Sequence, residues 1–221
     1  MSTLARTVRS DLTESTFDGT AIALDGSGRV LASWGDPDEP LFYRSAIKPI
    51  QATVAQECGA SLNPEQLAIA SSSHGGFPIH IAVVRSMLAE VGLDESALLT
   101  PRSWPLGDAA RDGLAAAGHR HPRPVYHNCS GKHAAWLRAC VAAGWPTDSY
   151  LAPEHPLQLR VLAAVANVVA ADSALAPESS VGVDGCGAPT PRGSARRLAQ
   201  AFARLTVAPR YAACLLYTSP S

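Results

Sequence analysis

Apolar and polar positions follow two different periods along this 221-residue chain, and together they predict both strands and helices. Residues 16–24 and 29–34 have strand-like patterns. The Asp25-Gly26-Ser27-Gly28 sequence between them supplies glycines that can take positive φ, so the two segments predict a hairpin. Much later, residues 181–187 predict a strand that enters a tight turn.

Helical spacing of apolar residues marks several other segments, and most of them stop at a glycine. Helices are predicted over residues 50–55, 80–91, 108–117, 132–143 and 156–171. Residues 67–76 have the pattern of a short buried strand, or of a helix end that runs into a glycine loop. Pro49 suits a first helical turn, which places Ser45 and Lys48 at the N-terminus of a helix.

Composition excludes several classes of function. Hydrophobic residues make up 47% of the chain and charged residues 17%, which is typical of a soluble globular protein. The net charge of -1 and the scattered arginines give no electrostatic footprint for nucleic acid. The longest apolar run, residues 161–171, contains Asn167 and is too short to span a membrane. We therefore expect a cytoplasmic protein with neither nucleic acid nor membrane as a partner.

Cysteines are few and odd in number. The five thiols do not form the pattern of a disulfide framework, so free thiols or metal ligands are expected.

Lysine is rare in this chain, and its two positions suggest chemistry. Of 18 basic residues only Lys48 and Lys132 are lysines, and each lies close to a serine. A buried lysine can lose its proton, whereas an arginine cannot. Ser45, with Lys48 one helical turn later, is an arrangement in which an amine can take the hydroxyl proton as the oxygen attacks a carbonyl. The alternative is a helix-capping serine and a surface lysine.

Polar and reactive side chains are concentrated in the eight residues that end at His133. Cys129, together with the distant Cys186, could supply two thiolates to a tetrahedral zinc ion. A nitrogen from His127, His133 or Lys132 and a water would complete the shell. The alternative is that both cysteines are small buried apolar residues.

Five segments taken in order resemble the bacterial L-asparaginase family of the inducible rhizobial type. They are Arg-Ser-Ala-Ile-Lys-Pro at 44–49, Ser-His-Gly-Gly at 73–76, His-Asn-Cys-Ser-Gly-Lys-His-Ala at 127–134, Pro-Glu-His-Pro-Leu-Gln at 153–158 and Asp-Gly-Cys-Gly-Ala-Pro at 184–189. The resemblance implies an α/β (α+β) fold like that of serine β-lactamases and glutaminases, with a mixed sheet and helices. It also implies hydrolysis of the side-chain amide of L-asparagine, and a homodimer.

Residue roles follow from the resemblance alone. It implies that Ser45 is the nucleophile, Lys48 its base and Ser73 a second catalytic serine. It implies a zinc ion near the substrate, held by Cys129, Lys132 and Cys186. It implies substrate contacts from Arg44, His74 and Asn128.

The sequence also departs from the family pattern. Phe77 stands where the family usually has Glu after the Ser-His segment, which removes a carboxylate. The second catalytic lysine of the family lies beyond the Asp-Gly-Cys turn, in a continuation that this chain lacks. We therefore expect one partial catalytic domain over residues 1–213, a foreign tail over 214–221, and little activity in the chain as it stands.

Two other functions remain open. One is a penicillin-binding or β-lactamase-like serine hydrolase, although neither Ser-Asp-Asn nor Lys-Thr-Gly occurs in the chain. The other is a non-catalytic protein that binds zinc or an amino acid. The sequence does not decide whether asparagine or glutamine is the preferred substrate, because one methylene in a pocket changes the binding free energy by only about 1 to 3 kcal/mol.

Overall fold

The computed structural model describes residues 2–169 and 181–205 as a mixture of helices and short antiparallel strands. The strands are β1 (Ser2–Arg9), β2 (Leu12–Gly19), β3 (Ala21–Leu24), β4 (Val30–Trp34), β5 (Pro40–Phe42), β6 (Val181–Val183) and β7 (Pro189–Ser194). The helices are α1 (Lys48–Ala55), α2 (Pro64–Ser71), α3 (Pro78–Ala89), α4 (Asp108–Ala116), α5 (Ser130–Ala143), α6 (Pro156–Val169) and α7 (Ala195–Leu205). The predicted α/β class is confirmed, and the β-lactamase-like fold stays a prediction.

The strands form three small antiparallel sheets in the described part of the chain. The predicted hairpin is confirmed as β3 and β4, although its first strand is shorter than expected because β2 ends at Gly19. The β1–β2 hairpin was not predicted. In the third sheet β7 lies between β5 and β6, so Phe42 pairs with Arg192 and Val183 pairs with Pro189. This pairing brings the chain before α1 close to the 184–188 turn.

Helix α5 lies at the centre of the core and packs against α1, α2 and α3. It is buried on almost every side from Ser130 to Cys140, as expected for a central helix. Gly131 lets it approach α2 closely, since a Cβ there would lie 2.6 Å from the Ile69 carbonyl oxygen. The start of α5 is therefore fixed against the end of α2.

The helix predictions hold with small changes at the ends. Helix α5 stops at Gly144, whose φ of 68° gives the left-handed C-cap that the sequence suggested. The start of the ambiguous segment 67–76 belongs to helix α2, which begins three residues before that segment, at a capping box between Asn63 and Gln66. The predicted end of the 156–171 helix and the tail at 214–221 lie outside the described residues.

No helix among residues 2–169 and 181–205 is long and apolar enough to cross a membrane.

Candidate functional site

The amine of Lys48 lies inside the protein, in the first turn of α1. The residue is 1% exposed, and Nζ donates to the Ser72 carbonyl oxygen at 2.9 Å and to the Ser73 Oγ at 2.8 Å. Burial lowers the pKa of Lys48, and the nearby Lys132 lowers it further against the opposing effect of Cys129. These contacts place a lysine amine with a lowered pKa directly against a serine hydroxyl.

Ser45 lies on the exposed side of the 3-10 turn Arg44–Ile47 that leads into α1. No hydrogen bond in the described part of the chain joins its side chain to Lys48. The sequence assigned Lys48 to Ser45, whereas the structure puts the amine against Ser73. The pairing of Ser45 with Lys48 thus stays a prediction.

The loop before α5 ties the Ser73 segment to the rest of the site. The backbone oxygen of Asn128 accepts the His74 N–H at 3.1 Å and lies 3.4 Å from Lys48 Nζ. Its side-chain Oδ1 lies 3.8 Å from the Cys129 Sγ. Asn128 is therefore at the site through its backbone, and a role for its amide in substrate binding stays a prediction.

Two buried thiols and an amine meet at the N-terminus of α5. The side chains of Cys129 and Cys186 interact, and Lys132 Nζ donates to the Cys186 Sγ at 3.4 Å. The thiol of Cys186, with smaller contributions from Lys48 and Lys132, lowers the pKa of Cys129 to about 6. The same interaction raises the pKa of Cys186.

These three side chains are the ones that the resemblance names as zinc ligands, and zinc binding by them stays a prediction. Each is at most 3% exposed, and the two cysteines come from distant segments of the chain. Within residues 2–169 and 181–205, no three His, Cys, Asp or Glu side chains converge in a way that could hold a metal. The predicted zinc site therefore depends on the lysine nitrogen as its third protein ligand.

His74 is buried beside the site with both ring nitrogens occupied. Nδ1 accepts the Gly76 N–H at 3.2 Å, and Nε2 lies 2.9 Å from the Ser130 Oγ. Since Ser130 donates its own hydrogen to the Val125 oxygen at 2.8 Å, Nε2 must be the donor to it. Burial lowers the pKa of His74 to about 3. His74 therefore orients the loop in its neutral form, and a substrate contact from it stays a prediction.

Arg44 enters the site in a strained conformation. Its φ is 46°, in the left-handed region that non-glycine residues seldom adopt, and its N–H bonds to the Thr190 hydroxyl at 3.1 Å. Its Nε donates to the Asp184 Oδ1 at 2.9 Å, while 66% of its side chain is exposed. Within residues 2–169 and 181–205, Asp184 is the one ion-pair partner of this guanidinium, and a substrate contact from it stays a prediction.

Asp184 was not among the predicted site residues. Burial raises its pKa, but hydrogen bonds from Arg44 and the Gly185 N–H outweigh burial, so the pKa lies below the usual value. Its Oδ2 lies 3.7 Å from the Cys186 sulfur. The sequence signal was its place at the start of the Asp-Gly-Cys turn, two residues before a predicted ligand.

Phe77, the predicted departure from the family pattern, packs near the glycines of its own loop. A Cβ on Gly75 would lie 2.9 Å from the ring, and a Cβ on Gly107 would lie 3.2 Å from it. The aromatic ring thus fills space beside the backbone there, and it adds no charged group.

A family model described as L-asparaginase II matches residues 5–217 of the chain. The match spans both serines, both lysines and both cysteines of the site. No curated protein matches the chain closely enough to count as a relative.

Proposed function

Because the chain belongs to the L-asparaginase II family, we propose that it is an amidohydrolase that converts L-asparagine into L-aspartate and ammonia through a serine nucleophile. The observation that supports this best is the buried amine of Lys48, 2.8 Å from the Ser73 hydroxyl. Acyl transfer from a carboxamide requires a hydroxyl that can be deprotonated near neutral pH, and a desolvated amine suits that role.

Lys48 has the hydrogen-bond partners that a general base needs. A neutral amine has two hydrogens and one lone pair. When the amine loses the hydrogen that it donates to Ser73, its other two hydrogens can stay on the Ser72 and Asn128 backbone oxygens, at 2.9 and 3.4 Å. The lone pair then faces Ser73, whose O–H becomes the donor. These hydrogen-bond assignments favour Ser73 as the hydroxyl that Lys48 activates.

Ser45 is the competing nucleophile, assigned by resemblance to the family. It lies three residues before Lys48, at the start of the helical segment. Because residues three apart share one face of a helical turn, a different rotamer of Lys48 would be needed to bring its amine to Ser45. Trapping the acyl group on one of the two serines decides between the assignments.

We propose that Cys129, Lys132 and Cys186 would hold a zinc ion. Two sulfurs and a nitrogen are a donor set that zinc accepts, and the thiols are close enough to share a hydrogen bond. A bound zinc would supply positive charge that favours the thiolates and polarises a nearby oxygen. The covalent route already has its nucleophile, so the chain's own residues carry the acyl transfer.

Arg44 is proposed to bind a carboxylate of the substrate. Its exposed guanidinium is held by Asp184 through Nε only. A bidentate contact with a carboxylate would use the remaining nitrogens, as is usual for arginine. His74 and Asn128 would then position the loop that presents Ser73.

The decisive assay measures ammonia release from L-asparagine and from L-glutamine by the purified chain. Rapid acid quench followed by peptide mass mapping should find the aspartyl group on Ser73 or Ser45. Binding of asparagine without ammonia release would support the non-catalytic alternative. Turnover of a chromogenic β-lactam would support the β-lactamase-like alternative.

Three further features that the resemblance or the composition implies are part of the same proposal. They are a β-lactamase-like fold, a homodimer and a cytoplasmic location. Sedimentation equilibrium of the purified protein tests the dimer.

A further inference from the structure

The hydroxyl of Tyr150 is buried between two partners. The residue is 0% exposed, the Leu99 N–H lies 3.0 Å from its oxygen, and Nδ1 of His133 lies 2.8 Å from it. Tyr150 itself is held by Gln158, whose Nε2 donates to its backbone oxygen at 2.8 Å. The phenol therefore meets His133 from a chain segment that follows α5.

Only one arrangement of hydrogens also gives the phenol hydrogen an acceptor. The Leu99 N–H is a donor and cannot accept, so the single hydrogen of the phenol must go elsewhere. Among the described residues, the acceptor within reach is Nδ1 of His133. Burial raises the pKa of Tyr150, which agrees with a phenol that keeps its hydrogen.

An acceptor at Nδ1 sets the tautomer of the imidazole. In a neutral ring one nitrogen accepts and the other carries the hydrogen, so Nε2 of His133 must carry it. His133 is 0% exposed, and Nε2 has no hydrogen-bond partner in the described part of the chain. The ring lies beside the sulfur of Cys186, but not in the geometry of an ordinary hydrogen bond.

We propose that Tyr150 is a positioning residue that holds His133 as the Nε2–H tautomer and so presents a buried, unpartnered N–H donor to the candidate site. A buried donor without a partner is costly, which makes it a good place for an acceptor that arrives from outside. The acceptor class that fits is an oxygen bearing negative charge, such as a carboxylate or an oxyanion. Only this last consequence rests on the proposed function.

The same tautomer limits what His133 can do at a metal. Ligation needs a nitrogen lone pair, and the Nδ1 lone pair is occupied by the phenol while Nε2 carries a hydrogen. His127 is limited in the same way, because its Nδ1 accepts the Cys129 N–H at 3.1 Å. Of the three nitrogens that the sequence left open, the Lys132 amine therefore remains as the proposed ligand.

The ring nitrogens can be observed directly by NMR on the full chain labelled with nitrogen-15 histidine. Long-range proton–nitrogen spectra distinguish an N–H nitrogen from an acceptor nitrogen in each ring, and His133→Asn identifies the signals. In the wild-type protein we expect Nε2 protonated and Nδ1 accepting. Protonation of Nδ1, or an unprotonated Nε2, would overturn the proposal. This spectrum is recorded on the wild-type protein, so the result does not depend on the folding of a variant.

Tyr150→Phe removes the donor to Nδ1 and should give a mixture of His133 tautomers. The matched control is Tyr43→Phe, because the Tyr43 hydroxyl also accepts a backbone N–H, that of Ser194 at 3.2 Å, but contacts no histidine among the described residues. Both variants lose a similar hydrogen bond, so only Tyr150→Phe should change the His133 signals. An unchanged His133 spectrum in folded Tyr150→Phe would contradict the proposal.

Turnover gives a separate reading. If the chain releases ammonia, kcat/KM of Tyr150→Phe should fall about 10- to 100-fold, as is typical when a residue that orients a site group is removed. An unchanged kcat/KM would show that the His133 tautomer does not contribute to turnover. The NMR test of the tautomer is independent of that result. A wild-type chain that neither binds L-asparagine nor releases ammonia would contradict the proposed function and leave the tautomer result intact.

Discussion

Lys48 and Ser73 are separated by 25 residues in the chain, yet Nζ of one lies 2.8 Å from Oγ of the other. The contact forms because α1 starts at Lys48 while α2 ends just before Ser73, and both helices pack against α5. It joins an amine with a lowered pKa to a hydroxyl.

The first prediction compares the two serines. If Lys48 activates the hydroxyl it touches, Ser73→Ala should abolish ammonia release. If resemblance to the family assigns the roles correctly, Ser45→Ala should abolish it. Neither change should cost more than about 1 kcal/mol of stability, the size of a lost capping or neutral hydrogen bond. Single-turnover rates and urea unfolding of each variant measure both effects, and full turnover in both would exclude a serine nucleophile.

A second prediction concerns the base. Lys48→Met keeps the length of the side chain and removes the amine, so turnover should fall about 100- to 10,000-fold, the usual contribution of a general base. Lys48→Arg keeps the charge but stays protonated at any working pH, and it should be equally impaired. Near-normal kcat in folded Lys48→Arg would contradict the assignment of Lys48 as a base.

Metal content tests the thiol pair. The purified chain supplied with zinc should hold about one ion, because two thiolates and an amine offer three ligands and water a fourth. Cys129→Ser and Cys186→Ser should lose it, and zinc should then no longer raise the melting temperature. Cys58→Ser is the control, since Cys58 lies outside the site and should leave the metal content unchanged.

Close packing of α5 on α2 predicts opposite effects at two glycines. Gly131→Ala should destabilise the fold by about 1 to 3 kcal/mol, because its Cβ would lie 2.6 Å from the Ile69 oxygen. Gly113→Ala, within α4, meets nothing within 4 Å and should stabilise by about 0.5 to 1 kcal/mol. Urea unfolding midpoints give both signs, and equal effects would show that the helices do not approach as described.

Glu90 should contribute to the pH dependence of the free energy of unfolding. Hydrogen bonds from Arg138 and Gln66 lower its pKa in the folded protein, so its contribution is present above the unfolded pKa and is lost as the pH falls through the folded pKa. Between about pH 6 and pH 3, around the ordinary glutamate pKa of about 4.3, wild type should lose more stability than Glu90→Gln. The difference is small because Glu90 is half exposed.

Chemical unfolding at several pH values measures that difference. Glu154→Gln, at an exposed turn position, is the control and should follow the wild-type curve. A Glu90→Gln curve parallel to that of the wild type would show that Arg138 does not depend on this partner.

Local patterns in the sequence were sufficient for much of the secondary structure. The Asp25-Gly26-Ser27-Gly28 turn and the glycine that ends α5 depend on neighbouring residues only, so their signals are local. The β1–β2 hairpin was missed because its strands are largely exposed and lack a clear apolar alternation. The residues that carry chemistry were also recognisable, since lysine and cysteine are rare in this chain.

Tertiary structure alone decided which of these residues meet. Sequence spacing favoured Lys48 with Ser45, because a helix places residues three apart on one face, but the packing of α1 and α2 on α5 turned the amine toward Ser73. Likewise the sequence left three nitrogens open as partners for the cysteines. The phenol of Tyr150 takes the Nδ1 of His133, a contact between segments 17 residues apart that no local pattern encodes. Local structure is set by short-range preferences, whereas partners and tautomers depend on distant segments that the core brings together.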